Sequence, residues 1–372
     1  MNVKKQHFVP RFYLKNFTNN PKEIGVYNFK NKRLVKSSNL YNQCQKDFFY
    51  DNDNVIEKNL SVIEKDVSEL LKKIIKDKSL SVLSNEELYN ILFFVVLQNS
   101  RTEVSCDKIS QLGHAFFDKV LSDKELRIGK GHILAMKYTW MLTYISSDLK
   151  LALLINETQI PFITSDHPVS MTNPIFDKIN SRSLGGTGYA KKGLIIAFPI
   201  SSKLCLIYYD DNSYFFGRGE SDIVIKNINN IRSINKLSAS SCNENFYFDP
   251  MLSDDVIMNI VSESTWKKNK KYNLTSIEST ECLTNDTIGL RLHSSSIPEY
   301  RGFLLNGVMK INKKGIRFIK EAERDSMIIN KKEGVRCLEW VSLIKSFHDE
   351  VKKGAYKHND LHKFIEDKKI RR

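Results

Sequence analysis

Proline and tryptophan are scarce in this sequence, eight and three in 372 residues, and its six cysteines never form a CxxC pair. A zinc ribbon or thioredoxin-like site therefore has no support, and the scattered thiols read as reduced. Long apolar runs are missing as well. The longest, Ile91–Leu97, falls far short of the roughly 20 residues that a spanning helix needs. Met1 to Pro10 carries charge without an apolar stretch, which argues against a secretory signal. These absences point to the cytoplasm and to no membrane partner.

Two phosphate-binding loops are excluded on spacing. In Gly185-Gly186-Thr187-Gly188-Tyr189-Ala190-Lys191-Lys192-Gly193, Leu194 follows Gly193 where a P-loop requires lysine, and Lys191 stands where the last glycine of a dinucleotide fingerprint belongs. The histidines His114, His132, His293, His348, His358 and His362 form no HExxH pairing; His358 and His362 are four apart in a basic end. No cofactor and no metal site is expected.

Positive charge is abundant. Lys+Arg number 57 against 43 Asp+Glu, a formal net charge of +14. Such a surplus attracts polyanions and speeds encounters with them, so RNA or DNA is the partner it favours. A solvated lysine-rich surface is the competing explanation, and an AT-rich genome would produce it. Segment 311–372 holds 17 Lys+Arg and 10 Asp+Glu, half of the net charge.

The periodicity predicts an α+β fold: long helices in the N-terminal half packed on a mixed or antiparallel sheet, with a basic helical C-terminal region. The runs Gly25–Phe29 and Arg33–Lys36 read as a hairpin. Ile56, Leu60, Ile63, Val67, Leu70, Leu71 and Ile74 recur at helical spacing and predict a helix over 55–77. Ser84, with Glu87 three residues on, starts a second helix running through Arg101. Its middle is apolar on all sides and belongs inside the protein. Further helices are expected over 107–121 and 131–147. A β-rich stretch follows: a hairpin of Leu151–Ile155 and Ile160–Thr164, then Leu194–Ser201, Lys203–Tyr209, Tyr214–Phe216 and Asp222–Ile225. Ile179–Gly193, with its glycines, reads as a mobile loop. A helix at 226–238, a strand at Asn245–Phe248 and an amphipathic helix at 335–352 complete the reading, which divides the chain into a main domain, 1–250, and a basic, mainly helical region, 251–372.

Chemistry concentrates in three places. Gln6-His7-Phe8-Val9-Pro10-Arg11-Phe12-Tyr13-Leu14-Lys15-Asn16-Phe17 sets polar groups among aromatics at a terminus, where burial is required to hold so apolar a segment. His7 alone of these titrates near neutrality and is the proton-transfer candidate; a satisfied structural histidine is the alternative. Gln98 and Arg101 share a helix face at the rim of the core. Arg101 needs a carboxylate, Glu64 or Asp166, or a substrate phosphate. Thr164-Ser165-Asp166-His167-Pro168 ends a strand; Asp166 either orients an imidazole or satisfies local backbone donors as an Asx-turn. Ser165 lacks the glycines of a nucleophile elbow.

The pattern Gln-His-x-x-Pro-x-x-Tyr-Leu-x-x-Phe at 6–17 resembles the N-terminal signature of the family known as domain of unknown function 4238. Later landmarks follow in the same order: Phe48-Phe49-Tyr50-Asp51, Ile56-Glu57 with Glu64, Gln98-Asn99-Ser100-Arg101-Thr102, Thr164-Ser165-Asp166-His167-Pro168, and Phe198-Pro199-Ile200-Ser201 with Leu204 and Asn235. The resemblance covers about 1–250 and supplies landmarks rather than a mechanism. His167 departs from it, since asparagine is commoner at that place.

Three functions are compatible with these residues. The first is a nucleic-acid-directed enzyme, a metal-independent nuclease-like effector in host defence or toxicity. In it His7 serves as acid–base group, Arg101 stabilises phosphate charge, Asp166 orients His7, and Tyr13, Asn16, Gln98 and Ser165 contact substrate. The second is a non-catalytic module binding nucleic acid or a partner protein. The third is a metal-dependent small-molecule hydrolase.

Overall fold

A computed structural model describes residues 4–120, 130–179, 186–266, 273–280, 289–295 and 302–325, with scattered positions between 328 and 368. The chain opens with β1 (Lys5–His7), a single helical turn α1 (Arg11–Leu14) and the hairpin β2 (Glu23–Asn28) and β3 (Arg33–Asn39). Pro10 precedes α1 and has no N–H to leave unpaired at its start. β4 (Gln45–Asp47) returns to pair antiparallel with β1, which sets His7 opposite Gln45. The two long helices lie where periodicity puts them: α2 (Val55–Asp77) and α3 (Asn85–Ser100). Ser84 and Glu87 close a reciprocal capping box at the start of α3. α4 (Glu103–Val120) follows. The single helix expected over 131–147 is two, α5 (Gly131–Lys137) and α6 (Thr139–Ser146), parted at Tyr138 where φ −100° and ψ 6° leave the helical range.

Next come β5 (Lys150–Asn156), β6 (Thr164–Ser165), β7 (Ser170–Thr172), α7 (Pro174–Lys178), β8 (Ile195–Pro199), β9 (Leu204–Tyr209), β10 (Tyr214–Phe216), β11 (Asp222–Ile225), α8 (Ile228–Ser241), β12 (Asn245–Phe248) and α9 (Asp254–Glu263). β13 (Asn273–Thr280), β14 (Gly289–Ser295), β15 (Met309–Ile311) and α10 (Lys313–Arg324) lie beyond. One sheet has the order β11-β5-β9-β8-β7, with β11 parallel to β5 and the other neighbours antiparallel. A second, antiparallel sheet has the order β3-β2-β12-β6. The hairpin expected from 151–155 and 160–164 does not form. The Asn156 side chain holds the Ile160 carbonyl and the Thr158 N–H, turning the chain away, and β6 joins the second sheet instead.

Every residue of β8 and β9 is buried, so these strands read as unbroken apolar runs rather than alternating ones. Their two faces build two cores. Ile196, Phe198, Leu204, Leu206 and Tyr208 pack with α2, α3 and the N-terminal segment. Ile195, Ala197, Cys205 and Ile207 pack with α8 and α10. The middle of α3 is fully enclosed: Ile91, Phe94, Val95 and Val96 have no solvent exposure, and each such side chain contributes about 1.5–3 kcal/mol.

The region after 250 is interwoven with the rest. β15 pairs with β10, and Phe303, Leu305, Phe318 and Ala322 enter the second core. β13 and β14 pair with each other, so strands accompany the expected helices. Position 250 marks where the family landmarks stop, not where packing stops.

The glycine loop divides. Residues 180–185 lie outside the described residues, while 186–193 are clamped rather than loose. The Asn173 amide donates to the carbonyls of Gly186 and Lys192. Arg336, buried, donates to the carbonyls of Tyr189 and Lys191 and pairs with Asp148 at 2.7 Å. Val335 bridges to Lys191 in extended pairing, so the amphipathic pattern at 335–352 overran its helix by at least these two residues.

Candidate functional site

Gln6 anchors the start of the chain. Its amide oxygen accepts the N–H of Tyr50 at 2.7 Å, and its NH2 donates to Asp51 and Asn54. Asp51 in turn accepts the N–H of Ile56 at 2.6 Å and so caps α2, whose own N-cap residue Asn54 makes no side-chain cap. The aromatic run before α2 thus ties β1 to the helix that carries Glu57 and Glu64.

Arg101 terminates α3 with no solvent exposure. Its Nε donates to the Phe8 carbonyl at 3.1 Å, and its Nη2 to the His7 carbonyl at 3.3 Å and to Glu64 Oε1 at 2.7 Å. Gln98, one turn back, donates to the same Phe8 carbonyl at 2.8 Å. Arg101 Nη1, Gln98 Oε1 and Glu57 Oε2 are buried with no hydrogen-bond partner among the described residues. Of the two carboxylates expected for Arg101, Glu64 is the one it meets.

His7 is half-buried at the edge of this cluster. Its Nε2 lies 3.1 Å from the Tyr41 carbonyl, which only accepts, so the proton of the neutral ring sits on Nε2 and the lone pair on Nδ1. Burial, followed by Arg11 and Arg101, outweighs the carbonyl and Glu64 and holds the imidazole pKa below its ordinary value. A neutral base near neutrality results. The His7 peptide N–H bonds to Glu57, and the pKa of that carboxyl is pushed up to about 7, by burial first and then by the charge of Glu64. Over the Tyr41 ring sit the Arg11 guanidinium at 5.2 Å and the Lys15 ammonium at 5.6 Å, all three exposed.

Asp166 has a different task from the one expected of it. Its carboxylate accepts the N–H groups of Asn243, Glu244 and Asn245 at 2.7, 2.9 and 2.8 Å. It thereby fixes the turn between α8 and β12, while the His7 ring is oriented by Tyr41. Ser165 Oγ accepts the N–H of His167, and the His167 Nδ1 meets Thr102 at 2.7 Å. This is a serine turn rather than a nucleophile with its base, and the carboxylate beside it accepts from donors 77–79 residues along the chain rather than from the local Asx-turn expected of Asp166.

Tyr13 and Asn16 also face inward. The Tyr13 hydroxyl donates to the Pro199 carbonyl and meets Thr164, both at 2.7 Å, with its ring stacked on Phe198. The Asn16 amide donates to the Ile200 carbonyl at 3.0 Å. Asn235 similarly brackets Pro161 and Ile163. The structure therefore joins His7, Gln98 and Arg101 around one peptide, and assigns Tyr13, Asn16, Ser165 and Asp166 to holding backbone. Glu57, Tyr41 and Arg11 complete the cluster and escaped the sequence reading as functional groups. A signal for Glu57 existed: it and Glu64 are seven apart beside the apolar stripe of α2, on the face that packs inward.

Among the described residues, no group of three or more His, Cys, Asp or Glu converges as a metal ligand set. None of their helices is long and apolar enough to cross a membrane. No curated protein matches the chain, and no solved structure does. The model of the family described as "Protein of unknown function (DUF4238)" matches residues 5–251. That span contains every landmark built into the network above, and the chain belongs to this family.

Proposed function

We propose that this protein is a nucleic-acid-directed enzyme of nuclease type, with His7 as the proton acceptor. The observation that carries the reading is the His7 edge itself: a neutral imidazole with its lone pair on Nδ1, flanked by Arg11 and Lys15 over the exposed Tyr41 ring. Cleaving a phosphodiester requires a base to take a proton from the attacking hydroxyl, and cations to meet the charge gathering on the phosphate. Arg11 and Lys15 are on the solvent side, where a phosphate arrives, and the Tyr41 ring beneath them holds the two cations together. Arg101 acts one step back: it grips the His7 and Phe8 carbonyls and so positions the imidazole. The net charge of +14 supports the choice of polyanion. A cytoplasmic setting accords with Cys44, Cys106, Cys205 and Cys242 being held as thiols.

A binding module is the second reading. It is favoured by the commitment of Tyr13, Asn16, Gln98 and Asp166 to main-chain partners, since a scaffold needs its signature residues for little else. Purified protein incubated with end-labelled RNA and DNA separates the two. Multiple turnover supports the enzyme; salt-dependent retention of intact polymer, with no shortened product, supports the module and defeats the enzyme.

A further inference from the structure

The ribbon of β10 and β15 turns one residue of each strand outward. Tyr214, Phe216 and Met309 are buried, while Phe215, 64% exposed, stands directly opposite exposed Lys310. Within the ribbon this follows from the two-residue period, and it sets one aromatic face in solvent directly beside a lysine. α10 begins two residues after the ribbon and is fixed to it. Asn312 caps the helix through the Gly315 N–H, while its own amide donates to the Asp211 carbonyl and its N–H to the Ser213 carbonyl. Gly315 permits the approach, because a Cβ there would lie 2.7 Å from the Ser213 carbonyl oxygen. With Gly315, Phe318, Ile319 and Ala322 turned inward, α10 presents Lys313, Lys314, Arg317, Lys320 and Arg324 to solvent. Glu321 is paired with Arg317 at 2.8 Å, which leaves the lysines and Arg324 facing only Glu323 as exposed acid on the helix.

We propose that this ribbon and helix form a binding surface for single-stranded nucleic acid, with Phe215 as a stacking platform and Lys310, Lys313, Lys314 and Lys320 as phosphate contacts. Cations alone would serve any polyanion. The exposed ring selects a strand whose bases are unstacked, because a duplex keeps its base faces covered. The inference takes its polymer class from the reading of the His7 edge but requires no chemistry there. Most of the surface lies beyond residue 251, outside the span matched by the family model.

Fluorescence anisotropy of the full chain with a labelled 20-mer, as single-stranded RNA, single-stranded DNA and duplex DNA, tests it. Phe215→Ala is expected to weaken single-strand binding by about 5- to 150-fold, with Phe215→Trp restoring it. Replacing Lys310, Lys313, Lys314 and Lys320 by alanine is expected to reduce the slope of log affinity against log salt by about three. Because all five side chains are exposed, circular dichroism of these variants should match the parent. Unchanged single-strand affinity in both variants overturns the inference, as does binding of phosphatidylserine vesicles without binding of the oligonucleotides. Cleavage lost in His7→Ala alongside Phe215-independent binding would remove this surface and leave the enzyme reading. Phe215-dependent binding without cleavage would do the reverse.

Discussion

Arg101 Nε lies 3.1 Å from the carbonyl oxygen of Phe8, across 93 residues of sequence. Through that bond and its neighbours, the end of a buried helix holds the backbone of the first strand, and with it the direction in which His7 points. The guanidinium is fully buried and its ion pair with Glu64 is half-open, so the cluster is a desolvated charge balanced by two carbonyls and one carboxylate.

Removing one partner from such an arrangement leaves the others without compensation. Arg101→Met is expected to lower the unfolding free energy by about 3–5 kcal/mol, measured by urea titration. Glu64→Gln, whose carboxylate is part-exposed, should cost less than Arg101→Met. Equal losses, or a loss below about 1 kcal/mol for Arg101→Met, would show that the guanidinium does not organise the N-terminus.

Asp166 makes a stability prediction rather than a catalytic one. Asp166→Ala strands three N–H groups that the carboxylate now satisfies, at an expected cost of about 3 kcal/mol or more. Asp166→Asn retains part of the acceptor and should fall between. If Asp166→Asn preserves the melting temperature but abolishes turnover, the carboxylate belongs to the chemistry after all.

Glu57 makes stability depend on pH in a definite direction. Its folded pKa of about 7 exceeds the ordinary value of 4.5, so between those values the native state holds the proton more tightly than the unfolded chain. Stability from this group is complete below the lower value and declines as pH rises toward the upper one. Because the carboxyl is partly open to water, screening keeps the effect to roughly 1 kcal/mol. Glu57→Gln should therefore flatten the stability profile between pH 5 and 7 and raise stability at pH 8. A variant less stable than the parent at pH 8 would contradict the assignment.

In the proposed reaction, His7 is expected to act in the opposite sense on rate. Its pKa is below the ordinary 6.5, so the free base prevails at neutrality and is lost only on acidification. The rate per enzyme at low substrate is expected to be level from pH 7 upward and to fall only on acidification past the ordinary imidazole value. A rise on acidification through that range would mean that a protonated imidazole is the working form.

Much of this architecture was legible in the sequence, and the part that was not has identifiable causes. α2 and α3 declare themselves because one has an unbroken apolar stripe and the other a capping box ahead of an all-round apolar run. Ile160–Ile163 failed as a strand because its apolar residues are covered by α8 and α9, so burial without pairing mimicked a strand. The helix break at Tyr138 carries no proline or glycine to announce it. At the site, His7 and Arg101 were recognisable as residue types, and Arg101's need for a partner left Glu64, Asp166 and a substrate phosphate open, of which the structure shows Glu64. The role of Asp166 was undecidable from its string, since the three N–H groups it holds lie 77–79 residues further along the chain. Tyr41 was hidden for a different reason: it meets His7 through its carbonyl, and a main-chain acceptor leaves no trace in side-chain identity.

The account rests on the imidazole of His7, and single-turnover cleavage of labelled RNA and DNA by the parent and His7→Ala at pH 7.5 measures it directly. The expected result is a loss of about 10²–10⁴-fold in rate for the variant, with its fold and its affinity for the uncleaved strand retained. Equal rates in the two proteins would contradict it.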